Sequence, residues 1–140
     1  MSILCLDPGE KRIGVAVAEP PAYIAVPLEM VPAQPAESAL ARLSVIVAER
    51  RVKLLVIGLP LQTDGREGAA TRAARRLARS MGEALKLPVE FQDERMTSNE
   101  AQRALSAGGG RARRSSGRAD AVAASLILRA YVERTRGDGP

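Results

Sequence analysis

The sequence predicts an α/β fold: a mixed sheet of about five strands with helices on both faces. Three observations carry that expectation. The first three apolar runs follow one another through short polar or Pro-rich connections, which suits a three-strand antiparallel meander. A later run, Leu54-Leu55-Val56-Ile57, is continuously apolar, the mark of a strand buried on both faces in a parallel sheet. Amphipathic helical stretches alternate with the later strands, and strand–helix–strand crossovers make those strands parallel.

The elements follow in order. Strands are expected at about 2–7, 12–18 and 24–31, the third an edge strand because Pro20, Pro21 and Pro27 limit its pairing. Leu40, Leu43, Ile46 and Val47 share one helical face and predict a helix over about 36–51, with Arg50 and Arg51 suiting the dipole of its last turn. A strand at about 53–58 and a Gly/Pro/Asp loop at 58–68 come next. Ala70, Ala74, Leu77, Met81 and Leu85 then predict a helix over about 66–86. A short strand follows at about 88–91. Thr97 and Glu100 have capping-box spacing and open a helix to about residue 107. Residues 108–117 form a basic, Gly/Ser-rich loop. The last helix runs over about 119–135, with Val122, Ala123, Leu126, Ile127 and Ala130 as its inner face. Residues 1–136 are expected to make one domain and 137–140 a frayed tail.

Composition narrows the chemistry. Apolar residues make up 46% of the chain, enough for a core, but aromatics only 2%, so Val, Leu, Ile and Ala must build it. No apolar stretch reaches the ~18 residues of a membrane span, and no signal peptide is visible, so the expected location is cytoplasmic. Cys5 lies inside the first strand and reads as a small core residue. The chain has no histidine, which removes a Ser-His-Asp triad, a histidine base and histidine ligands; one cysteine cannot make a thiolate zinc site. Catalysis must then use carboxylates, hydroxyls, Lys, Arg or an oxygen-held metal. The net charge is +5, and only Lys11, Lys53 and Lys86 are lysines. Arginine is the better bidentate phosphate partner, so the balance favours a polyanion, although a high-GC genome would also favour arginine.

Asp7 ends the apolar run Ile3 to Leu6 and opens Asp7-Pro8-Gly9. A carboxylate at a strand tip beside a core is costly unless something cationic binds it. Asp93-Glu94 and Asp120 are placed to join it, because parallel strands bring Asp7, the loop after Gly58 and Asp93-Glu94 to one sheet edge, where open α/β sheets bind ligands. Three separated carboxylates point to a hard divalent cation. Each also has a plainer reading: a hairpin turn for Asp7-Pro8-Gly9, a polar loop for Asp93-Glu94-Arg95, a helix N-terminus for Asp120. Of the adjacent pair Asp93 and Glu94, one is a ligand and the other a cap or salt-bridge partner. Lys11 and Arg12, Arg95, and Arg111, Arg113, Arg114 and Arg118 could grip a phosphodiester backbone, or simply be solvated. Arg72, Arg76 and Arg79 read as a solvated helix face. Gly58-Leu59-Pro60 with Asp64-Gly65 lacks the Gly-Lys-Ser/Thr ending of a nucleotide-binding loop.

Together the stretches Leu4-Cys5-Leu6-Asp7-Pro8-Gly9, Lys11 to Ala16, Gly58-Leu59-Pro60 with Asp64-Gly65, Asp93-Glu94-Arg95 with Thr97-Ser98, and Asp120 to Ala124 with Ile127-Leu128 resemble the YqgF/RuvX family. These are Holliday-junction-resolvase-like proteins, also described as pre-16S ribosomal RNA nucleases. The resemblance covers nearly the whole chain in family order. It implies an RNase H-like fold and an acidic set at Asp7, Glu94 and Asp120, with Asp93 as the alternative to Glu94. It further implies a Mg²⁺- or Mn²⁺-dependent endonuclease acting on precursor ribosomal RNA or branched DNA. Cutting a symmetric junction needs two sites, so that substrate implies a homodimer. Two other readings stay open: a non-catalytic nucleic-acid-binding factor in ribosome maturation, and an actin-like ATPase, which a chain without a second lobe disfavours.

Overall fold

The computed structural model describes residues 1–96 and 116–136. The helix expected from Thr97, most of the loop at 108–117 with Arg111, Arg113 and Arg114, the side chain of Arg118 and the tail at 137–140 lie outside the described residues.

Five strands form one sheet: β1 (Ser2–Pro8), β2 (Arg12–Glu19), β3 (Ile24–Pro32), β4 (Val52–Leu59) and β5 (Val89–Asp93), in the order β3-β2-β1-β4-β5. β1, β2 and β3 are antiparallel, and β4 runs parallel to both β1 and β5. The expected meander joined to parallel strands is therefore present, and β3 is an edge. Its pairing with β2 shifts register between Val15 and Ala16, which leaves Leu28 as the extra residue beside Pro27. A proline has no N–H for the ladder, and a bulge is where a strand tolerates one.

Helix α1 (Ala36–Arg50) buries Ala39, Leu43 and Ile46, and α2 (Ala69–Leu85) buries Thr71, Ala74, Ala78 and Met81. Both pack on the face that carries Leu4, Leu6, Val15, Val17, Leu55 and Ile57. Burying a side chain of that size contributes about 1.5–3 kcal/mol. The expected face of α2 included Ala70, which is exposed. The helix starts at Ala69, not near 66, because Thr71 anchors its first turn. The Thr71 hydroxyl donates to the carbonyl of Pro60 and accepts from the N–H of Gly68. A buried threonine thus replaces Ala70 on the inner face.

Helix α3 (Ser116–Arg136) covers the other face, packing across β1, β2 and β3. Its buried residues are Ala121, Ala124, Ser125, Ile127, Leu128 and Tyr131. Of the expected inner face only Ile127 is fully buried; Val122, Ala123, Leu126 and Ala130 are half-buried. Ala124 packs in one cluster with Ala16 and Ala18 of β2, and Gly14 of β2 admits the backbone of Asp120, so close packing and not hydropathy alone sets the helix's rotation. The far end is tied down by polar contacts: Tyr131 Oη donates to Glu90 at 2.9 Å, and Arg134 Nε to Gln92 at 3.0 Å.

Candidate nuclease site

Alternation along β1 decides where Asp7 points. Leu4 and Leu6 join the α1/α2 side, while Ile3 and Cys5 join the α3 side. Asp7 follows Cys5 onto the α3 side and is largely buried there. Across the sheet Asp7 lies opposite Gly14 on β2, and Gly58 on β4 lies opposite Gln92 on β5. Gly14 and Gly58 bracket Asp7 and leave the space around it open.

That space is filled by the two other acidic residues. β5 ends at Asp93, and a 3₁₀ turn, Glu94–Met96, then bends the chain. Glu94 comes to lie over Gly58, where a Cβ would stand 3.1 Å from Glu94 Cγ. From there its carboxyl hydrogen-bonds that of Asp7. Two carboxyl groups can bond to each other only by sharing a proton. Burial pushes Glu94 up to about 9, helped by its hydrogen bond to Asp7 and by the charges of Asp7 and Asp93. Burial also raises Asp7, against the lowering effect of the Glu94 hydrogen bond. Cys5 lies beneath the pair, fully buried as the sequence implied. Its thiol is pushed well up by burial and then by the charges of Asp7 and Glu94.

Asp93 leaves this group. Its carboxylate accepts from Arg95 Nε at 2.9 Å, Arg95 NH2 at 2.7 Å and the Arg95 backbone N–H at 2.9 Å. The Arg95 side chain holds Asp93 below the usual carboxylate range. The alternation that puts Gln92 against α3 turns Asp93 to the opposite side, and the 3₁₀ turn brings Glu94 back. Arg95, expected as a phosphate contact, is engaged by Asp93 in this arrangement.

Asp120 sits in the first part of α3, in line with Ala124, Ile127 and Tyr131 on the buried face. It is brought to the sheet because Gly14 has no side chain: a Cβ there would lie 2.0 Å from the Asp120 carbonyl oxygen. Arg12 Nε lies 3.0 Å from Asp120 Oδ2. Yet Oδ2 is buried and has no hydrogen-bond partner among the described residues, since the Arg12 N–H is not aimed at it. Burial accordingly raises the Asp120 carboxyl, opposed by the charge of Arg12 and reinforced by that of Asp7. Lys11 is exposed at the tip of the β1–β2 turn. Among the described residues no three acidic or sulfur ligands converge closely enough to hold a metal ion in this arrangement, in which Asp120 lies against Arg12.

The sequence reading gave Gly14 and Gly58 no role in the site. Each is a glycine inside an otherwise apolar strand, a recognised sign of close backbone approach. What approaches them lies far along the chain, in α3 and in the turn at Glu94.

Comparison with known proteins bears on the family and the fold. The family model described as RuvX, Holliday junction resolvase, matches residues 1–134. A protein of Chloroflexus aggregans named "Putative pre-16S rRNA nuclease" is 42% identical over 135 residues, covering 96% of this chain and 95% of its own. One of the same name from Crocosphaera subtropica is 38% identical over 136 residues, covering 97% and 95%. Among solved structures, RuvC of Thermus thermophilus aligns with a TM-score of 0.57 at 20% identity over 97% of each chain. RuvC from the same organism in complex with Holliday junction substrate aligns with a TM-score of 0.55 at 21% identity over 96% of each. The likeness to RuvC is one of fold, and the fold is RNase H-like. No helix among the described residues is long and apolar enough to cross a membrane. With the family model spanning nearly the whole chain and relatives near 40% identity end to end, the chain belongs to the RuvX Holliday junction resolvase family, a family of enzymes that act on nucleic acid.

Proposed function

We propose that this chain is a divalent-metal-dependent endonuclease that cuts phosphodiester bonds in structured nucleic acid. The observation that carries the reading is the placement of the Glu94 side chain over Gly58, against Asp7 and near the buried, unsatisfied Oδ2 of Asp120. Buried carboxyls held close enough to need a shared proton are poised to exchange it for a cation. The donor set is all oxygen, with no imidazole and no available thiolate, which suits Mg²⁺ or Mn²⁺. Asp7, Glu94 and Asp120 would hold the ion. When bound, it supplies charge stabilisation to the attacking and leaving oxygens of an in-line displacement.

The chain's own residues account for the rest. Asp7 and Glu94 would hold the cation as carboxylates. Arg12, beside Asp120 at the edge of the site, and the exposed Lys11 would take a phosphate of the substrate strand. Asp93 stays with Arg95 and holds the 3₁₀ turn, so Glu94, not Asp93, is the acid that acts. The names of the relatives and of the family favour two substrates: precursor 16S ribosomal RNA, and Holliday junctions. The junction would require a homodimer with paired sites.

The test is cleavage of both substrates with Mg²⁺ and with Mn²⁺, by wild type and by Asp7→Asn. Metal-dependent cutting that the variant loses is the expected result. The Arg12–Asp120 ion pair favours one other reading, a binding factor without catalysis. Cleavage undiminished in Asp7→Asn, or absent from wild type on both substrates with either metal, would speak for it.

A further inference from the structure

Among the described surface arginines, Arg42, Arg50, Arg66, Arg75 and Arg95 each hold a carboxylate. Arg72, Arg76 and Arg79 do not. They are exposed and have no ion pair or hydrogen bond among the described residues. At 3.6 residues per turn they fall on one flank of α2, over about 10 Å of its axis, with Lys86 in line beyond them. One carboxylate, Glu83, shares this flank, and the exposed strip adjoining it carries the small residues Ala73, Ser80 and Ala84. The surplus positive charge of the helix is therefore one-sided.

The charged flank borders a groove. Its floor is Leu87, Val89 and Phe91, and its α2 wall includes Arg75, Arg79 and Gly82. The wall is close: a Cβ on Gly82 would lie 2.7 Å from Val89 Cγ2. Phe91, the chain's one phenylalanine, is half-buried here, with the Arg75 guanidinium 5.1 Å above its ring. β5 is an edge of the sheet, so the groove is not closed by another strand of it.

The groove also has a direction. Thr71 ties the first turn of α2 to Pro60 at the end of β4, and β5 ends at Asp93-Glu94. Arg72 stands at the acidic edge of the sheet and Arg79 further back.

We propose that the α2–β5 groove is a second binding site, a track for a single-stranded stretch of polynucleotide. Phosphates lie on Arg72, Arg76 and Arg79, and a base lies against Phe91 and Val89. A row of exposed cations, in excess over the Glu83 carboxylate of the groove wall, beside an apolar, partly aromatic floor is the combination that holds single strands with little sequence preference. The track deepens the nuclease reading and rests on it only for its purpose: it would hold the strand flanking the bond presented to Asp7 and Glu94. RNA and DNA share the chemistry it recognises.

The test is binding without cleavage. Fluorescence anisotropy in EDTA measures affinity for an unstructured single-stranded RNA, a single-stranded DNA of the same sequence and a duplex. One triple variant carries Arg72→Gln, Arg76→Gln and Arg79→Gln. The control carries Ala41→Glu, Ser44→Glu and Ala48→Glu on the exposed face of α1 and changes the net charge equally. The first should weaken both single strands about tenfold at low salt and flatten the slope of log affinity against log salt by about 2. The control should change affinity by about twofold at most. Phe91→Leu keeps an apolar floor without the ring, and should weaken single strands severalfold and the duplex not at all. Equal losses in the two triple variants would mean diffuse charge and overturn the proposal, as would a loss confined to the duplex. Unchanged affinities would overturn it too and leave the groove to a protein partner. Cleavage is not read, so a chain that proved not to be a nuclease would leave this result standing.

Discussion

Asp120 rests on Gly14. A Cβ at Gly14 would come within 2.0 Å of the Asp120 carbonyl oxygen and 3.3 Å of its Cα. Gly14 is also the β2 partner of Asp7. One missing side chain therefore sets the distance between two acids that are 113 residues apart in sequence (120 minus 7). Backbone cannot yield as the tip of a flexible side chain can. Gly14→Ala should destabilise the protein by about 1–3 kcal/mol, the range for overpacking a tight core. It should also lift the start of α3 and lower cleavage more than stability alone explains. Denaturant melts alongside activity at a temperature where the variant is fully folded separate the two effects. A variant with normal activity and normal stability would show that the helix slides freely over β2.

This contact also shows what could be read from the chain and what could not. The succession of elements, the meander and the edge position of β3 followed from local patterns, namely apolar runs, prolines and connection lengths, while the order of strands across the sheet did not. The acidic set could be named because strand tips and parallel direction bring Asp7 and Asp93-Glu94 to one edge. The rotation of α3 was missed, because hydropathy ranks Val122 and Leu126 above Ala124, while packing against Gly14, Ala16 and Ala18 of β2 selects for a close approach. The resemblance favoured Glu94 over Asp93, but residue pattern alone left the two open, since the choice depends on a 3₁₀ turn and on a charge partner, Arg95, that no periodicity reveals. The start of α2 moved for a similar reason, a hydroxyl of Thr71 bonded across the loop to Pro60.

Asp93 and Glu94 should separate cleanly by mutation. Glu94→Gln should reduce cleavage by at least about a hundredfold, the lower end of what a positioned acid–base or metal-binding group contributes. Asp93→Asn keeps the side chain's size but weakens its clamp on Arg95, which is half exposed and screened by solvent. Its cleavage should fall less than about tenfold. Single-turnover rates at saturating metal measure both. A dead Asp93→Asn with an active Glu94→Gln would reverse the assignment.

The ends of α1 and α2 offer a test of backbone energetics away from the site. Arg51 has φ 54° and Lys86 has φ 56°, both left-handed, and both donate their N–H back to the helix, to Val47 and Gly82. Residues with a Cβ are disfavoured there by roughly 1–2 kcal/mol. Glycine is the usual occupant of such a position. Arg51→Gly and Lys86→Gly should each raise stability, by about 0.5–1 kcal/mol after the greater freedom of glycine in the unfolded chain is allowed for. Thermal melts of each variant check this, and a lower melting temperature in both would contradict it.

The shared proton of Asp7 and Glu94 predicts a pH dependence that runs opposite to that of an ordinary salt bridge. In the folded, metal-free protein Glu94 is held up to about 9, against 4.5 for an unperturbed glutamate. Below about 4.5 the group is protonated in both folded and unfolded chains, and its contribution is fully present. Between about 4.5 and 9 the unfolded chain has released the proton and the folded pair keeps it, so stability falls as pH rises. One proton corresponds to about 1.4 kcal/mol per pH unit at most. Asp7, also raised, acts with the same sign. Asp93, held low by Arg95, acts with the opposite sign and loses its contribution as pH falls through the acidic range. Denaturant melts in EDTA from pH 6 to 9 should therefore show wild type losing stability with rising pH, and Glu94→Gln losing much less. Added Mg²⁺ or Mn²⁺ replaces the proton, so its stabilising effect should grow over the same interval. Parallel curves for wild type and Glu94→Gln in EDTA would mean that the two carboxyls share no proton. Metal stabilisation independent of pH would mean that the ion binds elsewhere.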